Sequence, residues 1–151
     1  MTTPSPDLIT LAHTAIRGVL NQGGASVAPS PFQGQAPVCA YRSPSGRRCV
    51  IGHILPDKYY DPLLEGRNLQ NLVTYEKGTL PPYLVEHAEF FQELQRSHDD
   101  AWQHFHLYGE PFLPNFASFA AITLSRWGIP LPEELLSFEL PSLSRPSSEF
   151  D

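Results

Sequence analysis

Two cysteines, six histidines and three clustered arginines hold most of the reactive chemistry in this chain. Cys49 precedes Val50, Ile51 and Gly52, where an extended segment is expected to pass into a helix, and amides at a helix N-terminus lower the pKa of a thiol. With His53, His87 or His98 as base, Cys49 has the residue types of a nucleophile. No protease signature surrounds it, however, and a free cysteine among apolar neighbours usually packs as a small hydrophobe. Two metal-ligand sets are also conceivable, one of Cys39, Cys49 and His53, the other of His98, Asp100, His104 and His106. Asp100 and His104 share a face only on a helix, and His104 and His106 only on a strand, so no single element assembles the second set whole. Neither Cys-x-x-Cys nor His-Glu-x-x-His occurs, so the spacing specifies no zinc site, and no metal or cofactor is expected.

Arg42, Arg47 and Arg48 gather positive charge around one turn. The planar fork of arginine suits carboxylate or phosphate recognition, so these three, with Tyr41, form the candidate binding face. The competing use is pairing with the protein's own carboxylates, which at a surface stabilises by only about 0–1 kcal/mol per pair.

The elements that must carry these groups follow from proline placement and apolar period. The sixteen prolines restrict long helices to the stretches between them. Asp7 is a suitable N-cap, and Leu8, Leu11, Ala12, Ala15, Ile16 and Val19 recur at helical spacing until Gly23 and Gly24. Ala25 to Pro37 reads as a loop. Val38 to Arg42 and Arg47 to Ile51 flank Ser43-Pro44-Ser45-Gly46 and predict a β-hairpin, whose register would decide whether Cys39 and Cys49 face each other. A turn follows at Pro56 and Asp57, and a short helix at Asn68 to Tyr75. Tyr83 to Trp102 carries the longest helical stripe, which includes His87, Gln95 and His98. Asn115 is expected to cap a helix that ends at Gly128, and Pro132 to Glu134 open a last helical turn. The expected class is α+β, with several helices around a hairpin or small antiparallel sheet. Residues 1–6 read as a leader, 7–140 as one domain, and 141–151 as a tail or partner-binding arm.

Charge separates along the chain. Up to Val50 there are four basic residues and one acid, and beyond it six basic residues and fifteen acids, for a net charge of -6. Such a balance argues against general nucleic-acid binding, which needs a broad basic surface. No apolar run approaches the ~18 residues of a membrane span and no signal peptide is legible, so a soluble, intracellular protein with reduced thiols is expected. Phe90, Phe91, Trp102, Phe105, Tyr108, Phe112, Phe116, Phe119 and Trp127 crowd the C-terminal half. Any of them outside the core would form a patch suited to a protein partner.

The run CAYRSPSGRRCVIGHILPDKYYDPLLEG from Cys39 to Gly66, followed by LQRSHDDAW from Leu94 to Trp102, resembles small uncharacterised proteins carried by bacteriophages, prophages and plasmids. It covers about a quarter of the chain. The resemblance implies a bacterial cytoplasmic setting and an accessory role, such as binding and modulating a host or defence-system protein. It brings no activity with it. The expected function is therefore non-enzymatic partner binding, with a Cys49-dependent enzyme or a small metal-binding domain as the alternatives.

Overall fold

The computed structural model describes residues 5–32 and 34–138. Residues 1–4 of the expected leader and the whole of the expected arm at 141–151 lie outside them. Helix α1 spans Pro6–Gln22 and is capped by Ser5, whose hydroxyl accepts the Leu8 N–H at 3.1 Å. The cap therefore lies two residues before Asp7, and Asp7 contributes negative charge to the first turn instead. Its stripe is as expected, with Ala12, Ala15, Ile16 and Val19 fully buried, and Gly23 ends the helix in the left-handed conformation.

A two-stranded antiparallel sheet follows, in which β1 (Val27–Ala28) pairs with β2 (Val38–Cys39), Val27 opposite Cys39 and Ala28 opposite Val38. The hairpin around Ser43 to Gly46 forms only its tip: Arg42 and Arg48 make a single bridge, and the Ser43 N–H donates to the Arg47 carbonyl at 2.9 Å. The second arm is instead helix α2 (Val50–His53), capped by Cys49, whose thiol Sγ accepts the Gly52 N–H at 3.5 Å. Burial explains the change. A strand would turn Val50 and Ile51 to opposite faces, whereas the helical turn lets Cys49, Val50 and Ile51 all enter the core.

After 3-10 turns at Asp57–Tyr59 and Pro62–Leu64 come α3 (Leu69–Glu76), α4 (Pro82–Glu86), α5 (Ala88–Tyr108), α6 (Phe112–Arg126) and α7 (Glu133–Leu136). The stripe expected from Tyr83 to Trp102 is thus divided at His87 and runs six residues further, to Tyr108. Helix α6 begins three residues before Asn115, because Pro114 falls in the first turn, where its missing N–H breaks no helical bond. The Asn115 side chain donates to Glu110 instead of capping. Helices α5 and α6 pack along their lengths, α1 covers α2 and part of α6, and α2 and α3 lie on α5. One hydrophobic cluster, including Ile16, Ile51, Leu72, Phe90, Phe91 and Phe116, joins them. The architecture is α+β, helices packed around a small antiparallel sheet. No helix among the described residues is long and apolar enough to cross a membrane.

Candidate functional site

The stretch from Tyr41 to Gly66 folds onto itself through charge. The Glu65 carboxylate accepts the N–H groups of Tyr41 at 2.9 Å and Arg42 at 3.1 Å, and the Tyr60 hydroxyl at 2.7 Å. Burial, then the Glu65 bond, push Tyr60 up to about 12. The Arg42 guanidinium donates to the Leu55 carbonyl at 3.0 Å, pairs with Asp57 at 2.7 Å and lies 4.4 Å over the Tyr60 ring. Arg48 stands 3.8 Å from the same Asp57 oxygen. Tyr41 is buried, and its hydroxyl donates to the Arg67 carbonyl. Of the four residues of the expected binding face, Tyr41 and Arg42 therefore brace the fold and Arg48 is partly engaged. Arg47 is exposed, and among the described residues no carboxylate pairs with it.

The histidines divide in the same way. His98 is fully buried on α5; its Nε2 accepts the Ser26 N–H at 3.0 Å and its Nδ1 lies 3.0 Å from Asp99 Oδ1. A backbone amide can only donate, so Nε2 carries the lone pair and Nδ1–H donates to the carboxylate. Gln95 completes the network, accepting the Ile51 N–H at 3.0 Å and donating to Asp99 at 2.8 Å. The Cys39 thiol comes close, and the ligand atoms of Cys39, His98 and Asp99 lie within 4.8 Å of one another beside an open cleft of about 460 Å3. A metal on Nδ1 would require an imidazolate, and a metal on Nε2 would displace the Ser26 amide; the His98 bonding therefore fits a brace and not a ligand. Gln95 belongs to the expected stripe, where a polar residue among inward positions is the signal, whereas Asp99 lies off that stripe and carries no such signal.

The conceivable ligand sets do not gather. The only converging group among the described residues is the one at Cys39, His98 and Asp99. His104 and His106 lie on α5, so they point to different sides: His104 bonds Glu110 at 2.9 Å, and His106 stacks on Trp102. Nor does Cys49 meet the needs of a nucleophile. Burial pushes its thiol up despite the opposing Gly52 amide, and burial followed by Asp99 does the same to Cys39, so both are held as thiols. His87 sits at the α4–α5 break with its ring against Phe91.

His53 belongs to a further brace. Its Nε2–H donates to Gln22 Oε1 at 2.9 Å, and that oxygen also accepts the Arg48 N–H at 2.9 Å. The Gln22 amide donates in turn to the carbonyls of Gly24 and Arg48. Burial, then the charge of Arg48, lower the His53 pKa from 6.5 to about 4. Because the folded value lies below the unfolded one, the unfolded chain binds the proton more readily. The contribution is complete above pH 6.5 and is lost as pH falls towards 4. The melting temperature is expected to drop by about 3–6 °C between pH 7 and 5, reflecting about 1–2 kcal/mol after solvent screening. Thermal scans of His53→Gln should lack this part of the slope.

Between the Gly23–Val27 segment and the junction of α5 with α6 lies a groove of about 570 Å3, walled by Trp102, Phe105, Phe112 and Leu113 and rimmed by Arg47. Phe105, near the end of α5, is 48 % exposed at this groove, whereas Leu107 and Tyr108, also exposed, do not line it. Of the crowded aromatics of the C-terminal half, Phe90, Phe91, Trp102, Phe112 and Phe116 are buried, Phe119 and Trp127 are partly buried against the core, and Phe105 and Tyr108 are exposed. Fold and site together define a small α+β domain in which Ser26, Gln95 and His98 are bonded inside the fold, and whose open apolar groove has Arg47 at its edge, unpaired with any carboxylate among the described residues. The chain matches no protein-family model, no curated protein and no solved structure.

Proposed function

We propose that this protein is a non-enzymatic binding module that takes an apolar, acid-flanked segment of a partner protein into the groove between Gly23 and Pro114. The groove carries this reading, because a half-exposed Phe105 over the buried rings of Trp102 and Phe112, beside an exposed arginine, has the residue types of an interface hot spot. Arg47 replaces the wider arginine face as the charged contact, since the internal bonds of Arg42 leave its guanidinium little to offer a partner. The bacterial setting, in the cytoplasm of a host cell, and a host or defence-system protein as the partner rest on the motif resemblance.

A side-by-side capture from bacterial lysate with wild type and Arg47→Glu/Phe105→Ser tests the reading. Both positions are exposed, so matched melting curves should show an intact fold. A genuine partner is expected on wild type and depleted on the variant, with affinity reduced roughly 30-fold or more once the partner is purified, as for loss of a hot spot. Identical capture profiles for the two proteins would remove the groove from consideration.

A further inference from the structure

The groove's neighbours suggest what occupies it when no partner is present. The His13 ring lies 2.7 Å from the Pro130 carbonyl, and four residues later on both segments Arg17 pairs with Glu134 at 2.9 Å. The chain from Pro130 onward therefore runs beside α1 in the same direction, towards its C-terminus. Phe138, the last described residue, is packed against the core cluster, four residues beyond Glu134. Four residues beyond Arg17 is Asn21, and Gly23 and Gly24, just after it, form one wall of the groove.

The thirteen residues that follow, Glu139 to Asp151, contain Leu140, Leu143 and Phe150, with three carboxylates against one arginine. At about 3.3 Å per extended residue they span up to roughly 40 Å, far more than the gap between adjacent turns of a helix. Phe150 stands between Glu149 and Asp151, an aromatic anchor between two anions. That order complements an apolar groove of Trp102, Phe105 and Phe112 with the Arg47 guanidinium at its rim.

We propose that the chain's own segment 139–151 docks in this groove, with Phe150 on the aromatic wall and a flanking carboxylate on Arg47. The segment then acts as an internal competitor that a partner must displace. This rests on the groove being the partner site, but it is measured without any partner.

The probe is a dye-labelled synthetic peptide of residues 139–151, titrated into full-length protein and followed by fluorescence anisotropy. Full-length Phe150→Ala, whose own segment has lost its anchor, is expected to bind the peptide about ten-fold or more tightly than wild type, because a tethered competitor acts at high effective concentration. Adding Arg47→Glu to that variant should abolish the gain. Equal affinity for wild type and Phe150→Ala overturns the proposal, as does absence of binding to both. Sedimentation closes the remaining route: a wild-type dimer that Phe150→Ala converts to monomer places the segment on a second copy, which also overturns internal docking. Failure of lysate capture with success of the peptide assay would discard only the partner reading, and the reverse pattern only this one.

Discussion

Alanine at Gly52 is expected to be the most damaging small substitution in the described residues, lowering stability by about 3 kcal/mol or more. A Cβ there overlaps the Tyr41 carbonyl oxygen and comes within 2.9 Å of its carbon. That carbonyl has nowhere to retreat. The Tyr41 N–H is held by Glu65, its oxygen accepts the Cys49 N–H at 3.4 Å, and its ring is anchored through the Arg67 carbonyl. Relief would require separating α2 from the Tyr41 segment and opening the core at Val50 and Ile51, both buried. Urea denaturation should show a markedly lower midpoint, and thermal scans a loss of about 6–12 °C. Gly18→Ala is the informative control, since its Cβ meets the His53 ring, a side chain that can rotate away at the cost of its Gln22 bond. If Gly52→Ala melts with wild type, the close approach does not exist in solution.

Replacing His98 with leucine should cost about 2–4 kcal/mol, although leucine fills a comparable apolar space. The loss comes from what the ring leaves behind. The Ser26 N–H, on a fully buried residue, loses its acceptor, and Asp99 loses one of its donors. Ser26 also ties the fold through its hydroxyl, which donates to the carbonyls of Ala40 at 2.7 Å and Arg47 at 3.1 Å, so slackening there reaches both the sheet and the Arg47 rim of the groove. His98→Gln places an acceptor near the Nε2 position and should recover about half of the loss. Hydrogen exchange gives a local reading: the Ser26 amide should be among the slow exchangers in wild type and fast in His98→Leu. Leucine at 98 with unchanged stability and unchanged Ser26 protection would sink the brace. A zinc-dependent rise in melting temperature that disappears in His98→Leu would make the residue a ligand instead.

The helical stripes are legible in the sequence, because the apolar period of α1 and α5 is a local property that a 3.6-residue repeat converts directly into one buried face. The α+β class is legible there too, and Gly52, Glu65 and His98 are marked as belonging to two distinctive runs. Tertiary structure decided what those residues are for. Whether Gly52 must lack a side chain depends on the Tyr41 carbonyl, eleven residues away, and whether His98 can act as a base or ligand depends on an amide 72 residues away. The hairpin stops at its tip for the same kind of reason: its turn chemistry is correct locally and the Arg42–Arg48 bridge forms, but three consecutive residues, Cys49, Val50 and Ile51, find burial in the core only as a helical turn. Likewise Arg42 and Arg47 look equivalent in sequence. Only the packing of Asp57, Tyr60 and the Leu55 carbonyl around Arg42 turns it inward in function, leaving Arg47 at the rim of an apolar groove built by α5 and α6. Pairing over such distances is set by which surfaces the whole chain can bury together, and no local spacing encodes it.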